Sequence, residues 1–535
     1  MVTDEPKPKA ATSDAAAAGR GVIYIAFAKF YFMIAGAVLE FRLPAALGTT
    51  TYGAYGVVNS IISPFNNVLV TGTIQTVSRF GSQRPEAAGA VQRAGLRMHL
   101  YLGLLMAILF AAAAPLTARL FHDASKTGPI MLGAVIVAAY SFYAVFVGTA
   151  NGRREFHKQA GLDIAFATMR MVGILGLAMA GLGVFGAIGG WAAAACAILV
   201  ISTLVVGLPS RAAAAGETQP LKPLIMFFLS VALYHILLNF IMVADQLLLK
   251  RLSTEWFHQH GADAVASLRE YMPRGLLPGF TEIDPATAAD GQVGYYRAVQ
   301  TLARLSYQAI IAATFVIFPL ISRATFENDR AATARYVNTT MRYSLIFASA
   351  IAVVMAANPG PMLDLPFQAD YAYFGGPALI GLAAGNVAFS VFAIVGTILN
   401  GAGMTREAII ISAITLAVAA IANAVIIPQF VPGRELLTAC SLATGGAMTV
   451  GAIVGGLLLR ARLGAFLPLL SALRVGAAAA AAIGVGRVLP FATPIGTLIE
   501  AAAVGLTFLV TLILLRELGR DDLAAFGRVA RRKKG

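Results

Sequence analysis

Gly53-Ala54-Tyr55-Gly56-Val57-Val58-Asn59-Ser60-Ile61 and Gly294-Tyr295-Tyr296-Arg297-Ala298-Val299-Gln300-Thr301-Leu302 are two versions of one stretch, 241 residues apart. Each leads from glycine and tyrosine into an apolar run. Downstream, Val77-Ser78-Arg79 matches Ile321-Ser322-Arg323 at an offset of 244. A second pair keeps the same order. Gly148-Thr149-Ala150-Asn151-Gly152 with Lys158-Gln159-Ala160 corresponds to Gly396-Thr397-Ile398-Leu399-Asn400-Gly401 with Arg406-Glu407-Ala408, at offsets of 248 to 249. A single short match arises by chance, whereas two ordered pairs at nearly one offset indicate a duplicated half.

The halves are built for a membrane. Of 535 residues, 58% are hydrophobic and 12% charged, against roughly 25% charged in soluble domains, which excludes a water-soluble globular enzyme. Apolar runs of about 20 to 25 residues recur, each long enough to cross a hydrocarbon core of about 30 Å as a helix. The sequence predicts an all-α polytopic membrane protein with fourteen spans, centred near residues 32, 66, 109, 139, 173, 196, 236, 308, 350, 386, 418, 446, 478 and 504. Six spans separate the matched points. Because six is even, both halves enter from the same side, as parallel repeats related by an axis along the membrane normal, the plan of many alternating-access transporters. The predicted organisation is a cytoplasmic tail (1–20), a first lobe (21–208), a cytoplasmic linker (209–223) and a second lobe (224–460) with an outer insertion (251–294). Two further spans (463–516) and a basic tail (517–535) follow. The first apolar run, Gly21 to Leu43, exceeds the 7 to 15 residues of a signal-peptide core and is expected to stay as the first span.

Of the 40 Lys and Arg residues, 26 fall on the N-terminal side of the membrane, ten on the other and four inside spans. The positive-inside rule therefore puts both termini in the cytoplasm. The net charge of +14 thus reflects topology, not affinity for nucleic acid. Cys196 and Cys440 sit in apolar segments, where a thiol behaves as a small hydrophobe. The lone pair His258 and His260 in the insertion lacks further ligands in the sequence and suits one face of an amphipathic helix better than a metal site.

An ionisable group inside a span costs at least about 2.5 to 3.5 kcal/mol near its centre and usually faces a partner or a watery cavity. Lys29 lies eight residues into span one and Arg304 nine into span eight, roughly 12 to 14 Å deep from opposite sides. Spans one, two, seven and eight hold no carboxylate at that depth, while Asn66, Asn67, Gln75, Asn239 and Gln300 supply hydrogen-bonding groups. An unpaired cationic midplane suits an anionic ligand; snorkelling or pairing with backbone carbonyls is the structural alternative. Nearer the outer face, Glu40 and Arg42 end span one, and Asp245 is placed to reach Arg297, as a structural bridge or as a gate. Arg170, Arg474 and Glu500, in spans five, thirteen and fourteen, read as packing or lipid-facing residues.

In Leu43-Pro44-Ala45-Ala46-Leu47-Gly48, Tyr52-Gly53-Ala54-Tyr55, Ala244-Asp245-Gln246, Val293-Gly294-Tyr295-Tyr296, Phe318-Pro319-Leu320-Ile321-Ser322 and Asn400-Gly401-Ala402-Gly403, the chain resembles the MOP exporter superfamily. The resemblance is to its oligosaccharide-lipid flippases, the Wzx-type polysaccharide transporters and the related lipid II flippase, and covers residues 20 to 516. It implies two lobes in a V and a central cavity lined by spans one, two, seven and eight, where Lys29 and Arg304 fall. The insertion at 251–294 departs from the short connection of that pattern.

The resemblance implies export of a polyprenyl-diphosphate-linked oligosaccharide across the bacterial inner membrane for O-antigen, capsule or exopolysaccharide synthesis. Lys29 and Arg304 would hold the diphosphate, and Asn66, Asn67, Gln75, Asn239 and Gln300 would serve the sugars. Asp245, Arg297, Glu40 and Arg42 would serve as gate or ion-coupling groups. The expectation includes no catalytic residue, no metal and no cofactor, with H+ or Na+ coupling as an option. Expected partners are the glycan lipid, the bilayer and polysaccharide polymerase machinery, for a monomer. Two alternatives compete. A multidrug exporter of the same superfamily handles cations and calls for bare midplane carboxylates and twelve spans. A membrane glycan polymerase or ligase calls for an accessible acid, base or metal set, for which Glu255, His258, His260, Arg269, Glu270, Glu282 and Asp284 of the insertion are the available groups.

Overall fold

In hydrocarbon no water satisfies a backbone amide, so a spanning chain must be helical. The computed structural model is all-helical, with no strand among the described residues. These are 9–83, 87–209, 219–270, 284–308, 310, 321, 324–325, 327, 329–489, 493–519 and 522. The described residues form sixteen α-helices, in order. They are α1 Lys9–Leu47, α2 Thr49–Gln83, α3 Ala88–Leu120, α4 Thr127–Gly152, α5 Phe156–Leu177, α6 Gly183–Val206, α7 Leu221–Ile241 and α8 Ala244–Glu270, then α9 Pro285–Ala303, α10 Arg330–Ala357, α11 Pro359–Asp364, α12 Ala369–Gly401, α13 Thr405–Ile426, α14 Arg434–Leu463, α15 Leu469–Val488 and α16 Pro494–Leu514. Eleven stretches of the described residues are long and apolar enough to cross a membrane, one of them, Phe156–Val206, covering α5 and α6 together. The chain is a multi-pass membrane protein. Every centre expected from the sequence lies in one of these helices except that near 308, which follows the end of α9.

The chain divides into two compact units, residues 1–239 and 240–535. Helix α7 thus packs largely with the first unit, although the sequence groups it with the second lobe. Phe227 meets Phe80 at 6.3 Å between ring centres, and Phe228 meets His99 at 5.7 Å and fills the space beside Gly72. Within each unit, equivalent pairs of helices pack. In the first they are α1–α5, α2–α4, α3–α4, α4–α6 and α5–α6; in the second α8–α13, α9–α12, α10–α12, α12–α14 and α13–α14. The second sequence match has a structural counterpart. Helix α4 ends at Gly152 and α12 at Gly401, and the next helix starts four residues after each, at Phe156 and Thr405. Asn151 links three helices of the first unit, accepting from Ser78 at 2.6 Å and donating to Gln159 at 2.7 Å.

Span seven departs from expectation. In place of one continuous helix, α7 stops at Ile241 and α8 starts at Ala244, then runs deep into the predicted insertion. The extension is held by one face, because Lys250, Ser253, Thr254 and Phe257, spaced i, i+3, i+4 and i+7, are all buried. Lys250 Nζ pairs with Asp290 at 2.8 Å and donates to the Ala286 carbonyl at 2.6 Å, joining α8 to α9. His258 and His260 take the exposed face, with His260 stacked on Trp256 at 4.3 Å. Asp284 caps α9 through the Thr287 amide. Glu282, Phe318 to Leu320, Ser322 and Arg323 lie outside the described residues, as do the side chains of Arg269 and Glu270.

Helices α15 and α16 pack on α10 through Val475, Ala478, Ala482, Val504, Phe508 and Leu512 against Ile346, Val353 and Ala357. A polar clasp closes their far end. Arg342 binds Glu517 and Asp522, both at 2.8 Å, and Arg474 reaches Glu517 at 3.3 Å, so Arg474 is an anchor and not a lipid-facing residue. The Asp522 carboxyl, beyond the last span, is held at about 2: burial acts to raise it, and hydrogen bonds from Arg342 and Tyr343 outweigh that. Its contribution to stability is therefore present above the ordinary value of 3.8 and is lost only as pH falls through about 2.

Two glycine contacts set how closely the helices approach. A Cβ on Gly190 would fall 2.1 Å from the Gly173 carbonyl oxygen, and one on Gly385 2.5 Å from Gly445 Cα. Both contacts are backbone against backbone, which only small residues permit. Gly190→Ala is therefore expected to cost at least about 1 to 3 kcal/mol, the range for overpacking, and to lower the melting temperature of the detergent-purified protein. Gly176→Ala on α5, where a Cβ meets nothing within 4 Å, is the neutral control; equal melting temperatures for the two variants would refute this account of the α5–α6 contact.

Candidate functional site

The first unit brings Lys29 to a carboxylate. Lys29 Nζ lies 2.8 Å from Asp163 Oδ2, with the lysine side chain 48% exposed and the aspartate 10%. This corrects the expected unpaired cation. Asp163 sits in α5, seven residues past Phe156, and α5 packs along α1; a search confined to spans one, two, seven and eight misses it. Five residues further along α5, Thr168 hydrogen-bonds Tyr31 at 2.7 Å. Of the expected polar residues, Asn67 donates to Asn239 at 2.9 Å, and Asn239 donates to the His235 carbonyl at 2.8 Å. Asn66 is buried with no partner for its Oδ1 among the described residues, and Gln75 is exposed. Glu40 accepts from Tyr52 at 3.0 Å, while Arg42 is exposed, two residues on and so turned away from it on α1.

The second unit is organised around the break at Met242 and Val243. Arg304, at the end of α9, donates to the Met242 carbonyl that the break frees. Its cation is therefore engaged by backbone and lies within electrostatic reach of Asp245, so the unpaired midplane fails here too. Asp245 opens α8 and is buried. It accepts from Tyr296 Oη at 2.7 Å, from Gln300 Nε2 at 2.9 Å and from the Gln246 amide at 2.8 Å. Arg297, the expected partner, is not among these groups. The reason is helical geometry: Tyr296, Gln300 and Arg304 are spaced i, i+4 and i+8 and form one stripe facing the break, while Arg297 is turned about 100° from Tyr296. The tyrosine and glutamine in the quoted repeat carried this information; choosing a partner by charge alone concealed it.

The two remaining intramembrane charges differ in kind. Glu500 is buried with Oε2 unpartnered among the described residues. Arg170 stacks over Trp191 at 4.6 Å, and Trp191 in turn donates to Tyr140 at 3.1 Å.

The fold is similar to those of solved transporters of the MOP superfamily, in line with the resemblance in sequence. Over 93% of the chain and all of its counterpart, the fold matches the lipid II flippase MurJ in an inward closed conformation, with a TM-score of 0.70 and 13% identity. An outward-facing multidrug resistance MATE transporter matches over 83% of the chain and 95% of its own, at a TM-score of 0.57 and 15% identity. A MOP-superfamily transporter from Pyrococcus furiosus, described as having a binding pocket of reversed polarity, matches over the same shares at 0.56 and 16%. Residues 46–255 match the family model described as polysaccharide biosynthesis protein. No curated protein matches the chain.

The Asp245 contacts make a thermodynamic prediction. Hydrogen bonds to a charged group are worth about 1.5 to 3 kcal/mol, so Asp245→Asn and Tyr296→Phe should couple by about 1 kcal/mol or more in a double-mutant cycle on thermal stability. Asp245→Asn and Arg297→Gln should add within about 0.5 kcal/mol. Coupling confined to the Arg297 pair would reverse the assignment.

Proposed function

We propose that the protein carries a polyprenyl-diphosphate-linked oligosaccharide from the inner to the outer leaflet of a bacterial inner membrane, for synthesis of a surface polysaccharide. The carrying observation is the half-exposed ammonium of Lys29 within a span, beside a carboxylate that is itself largely buried. An anion can approach such a lysine while Asp163 remains in place, and the pair holds the cation ready without an uncompensated charge. Support for the glycan comes from the polysaccharide-biosynthesis match over residues 46–255, and support for a lipid-linked cargo from the likeness to a lipid II flippase. No bond is made or broken. The chain offers its binding groups alternately to the two leaflets, and Asp245, with its tyrosine and glutamine donors, is the group to test for H+ or Na+ coupling.

The ion pair revises what mutation should do. Lys29→Ala removes an attraction for phosphate and strands a buried carboxylate, so it should lower both transport and the yield of folded protein. Lys29→Ala with Asp163→Ala should restore the yield and not the transport, because replacing both partners removes the uncompensated charge. Yield is read by detergent size-exclusion chromatography and transport by enzymatic access to the sugar in vesicles; a double variant that transports normally would exclude Lys29 from cargo binding.

The membrane potential separates this cargo from a drug cation. Moving two negative charges from a negative interior outward is favoured by about 4.6 kcal/mol per 100 mV, twice the single-charge value. Export of a diphosphate-linked glycan from reconstituted vesicles under a potassium diffusion potential should speed up when the interior is negative; slower export under that polarity would contradict the cargo's charge.

A further inference from the structure

Arg170 is an intramembrane cation with no carboxylate partner among the described residues. It lies on α5 seven residues beyond Asp163, about 10 Å along the same face, with α1 opposite. Its Nε is buried without a hydrogen-bond acceptor among the described residues, and its guanidinium plane rests on the Trp191 ring at 4.6 Å. Trp191 is fixed by Tyr140 behind it, and Tyr140 packs edge-on against Phe166 at 5.0 Å. The guanidinium therefore sits on a rigid aromatic floor. Arg170 also lines a narrow cleft between α1 and α5, with Phe32, Ala35, Gly36, Leu39, Ala167 and Met171. The space beside Gly36, seven residues beyond Lys29 on α1, is open: a Cβ there would meet nothing within 4 Å.

An arginine within a span is costly unless it meets a partner or serves a ligand. Stacking on tryptophan offsets part of that cost and leaves the edge of the fork, with its parallel N–H donors, unused; this is the geometry that grips phosphate in two places at once. We propose that Arg170 is a second anion-binding residue of the first unit, meeting the phosphate-bearing head of the lipid-linked cargo at the mouth of the narrow α1–α5 cleft, one step of about 10 Å beyond Lys29. This rests on the reading of the cargo given above and adds a site to it. The two cations on this seam differ in a useful way. Lys29 already shares its charge with Asp163 and so holds an incoming head loosely, whereas Arg170 has its charge available and draws the head onward.

The chain's two tryptophans, Trp191 and Trp256, provide the test. In full-length Trp256→Phe protein in detergent, Trp191 alone reports on Arg170. Farnesyl diphosphate is the probe, with farnesol and dioleoylphosphatidylglycerol as controls. Affinity is measured independently by equilibrium dialysis of radiolabelled farnesyl diphosphate. The diphosphate should shift Trp191 emission saturably and farnesol should not. Arg170→Gln should weaken dialysis binding at least tenfold and Arg170→Lys by less, because lysine keeps the charge and loses the fork; the lysine variant also covers the case in which glutamine fails to fold. An unchanged affinity in both variants while Lys29→Gln weakens binding overturns the role of Arg170 and leaves the cargo reading standing. Equal binding of farnesol and farnesyl diphosphate by the unmutated site overturns the cargo reading itself. Displacement of the diphosphate by equimolar phosphatidylglycerol overturns the assignment to cargo, showing instead a site for bulk anionic lipid.

Discussion

A carbonyl released inside a membrane must find a donor, and the second unit is arranged around that requirement. The break at Met242 and Val243 turns span seven into two helices. Its freed carbonyl takes the Arg304 guanidinium, and the new helix start carries Asp245 in its first turn, where a negative charge is favoured by the helix dipole. One stripe of α9 then serves both ends of the break, with Tyr296 and Gln300 on the carboxylate and Arg304 on the carbonyl. A regular helix would need none of these residues. Their presence at i, i+4 and i+8 follows from the irregularity they satisfy.

The same need for compensation governs the first unit, with a different outcome. Lys29 meets Asp163 across the α1–α5 seam, while Arg170 on that seam is met by an aromatic ring in place of an acid. Two cations thus face one carboxylate. In the second unit the charges are engaged more deeply: Lys250 with Asp290, and Asp245 with its three donors, are buried. The duplicated halves share their helix pairings and have diverged in where charge remains available.

Periodicity and charge distribution made most of the fold legible. Apolar runs marked the helices, and the Asn-Gly ends of α4 and α12 marked the duplication, because a helix terminus is a local event written in local residues. The break in span seven was not legible. No proline or glycine stands at Met242 and Val243, and the break is held open by Arg304, 62 residues away in sequence. The candidate site was legible as a set of residue types and less so as pairings. Lys29 and Arg304 were visible as intramembrane charges, yet their partners, a carboxylate in another span and a backbone carbonyl, depend on which helices pack. Arg170 was visible and undervalued for the same reason: only packing shows that its neighbour is Trp191 and not an acid.

The ion pair at Lys29 changes how the proposed transport site would have to work. A bare cation at the midplane would hold a diphosphate strongly in every state, and tight binding in every state slows release. A lysine that already has a carboxylate beside it binds the same anion more weakly, since part of its field is spent on Asp163, and recovers its partner when the anion departs. The unloaded state is then never left with an uncompensated lysine, which is the state that hydrocarbon penalises most. In the transport cycle proposed above, Asp163 would thereby lower the barrier to returning empty. A carboxylate next to the cation is accordingly compatible with an anionic cargo, and its burial behind a half-exposed lysine is the geometry in which the two demands, capture and release, can both be met.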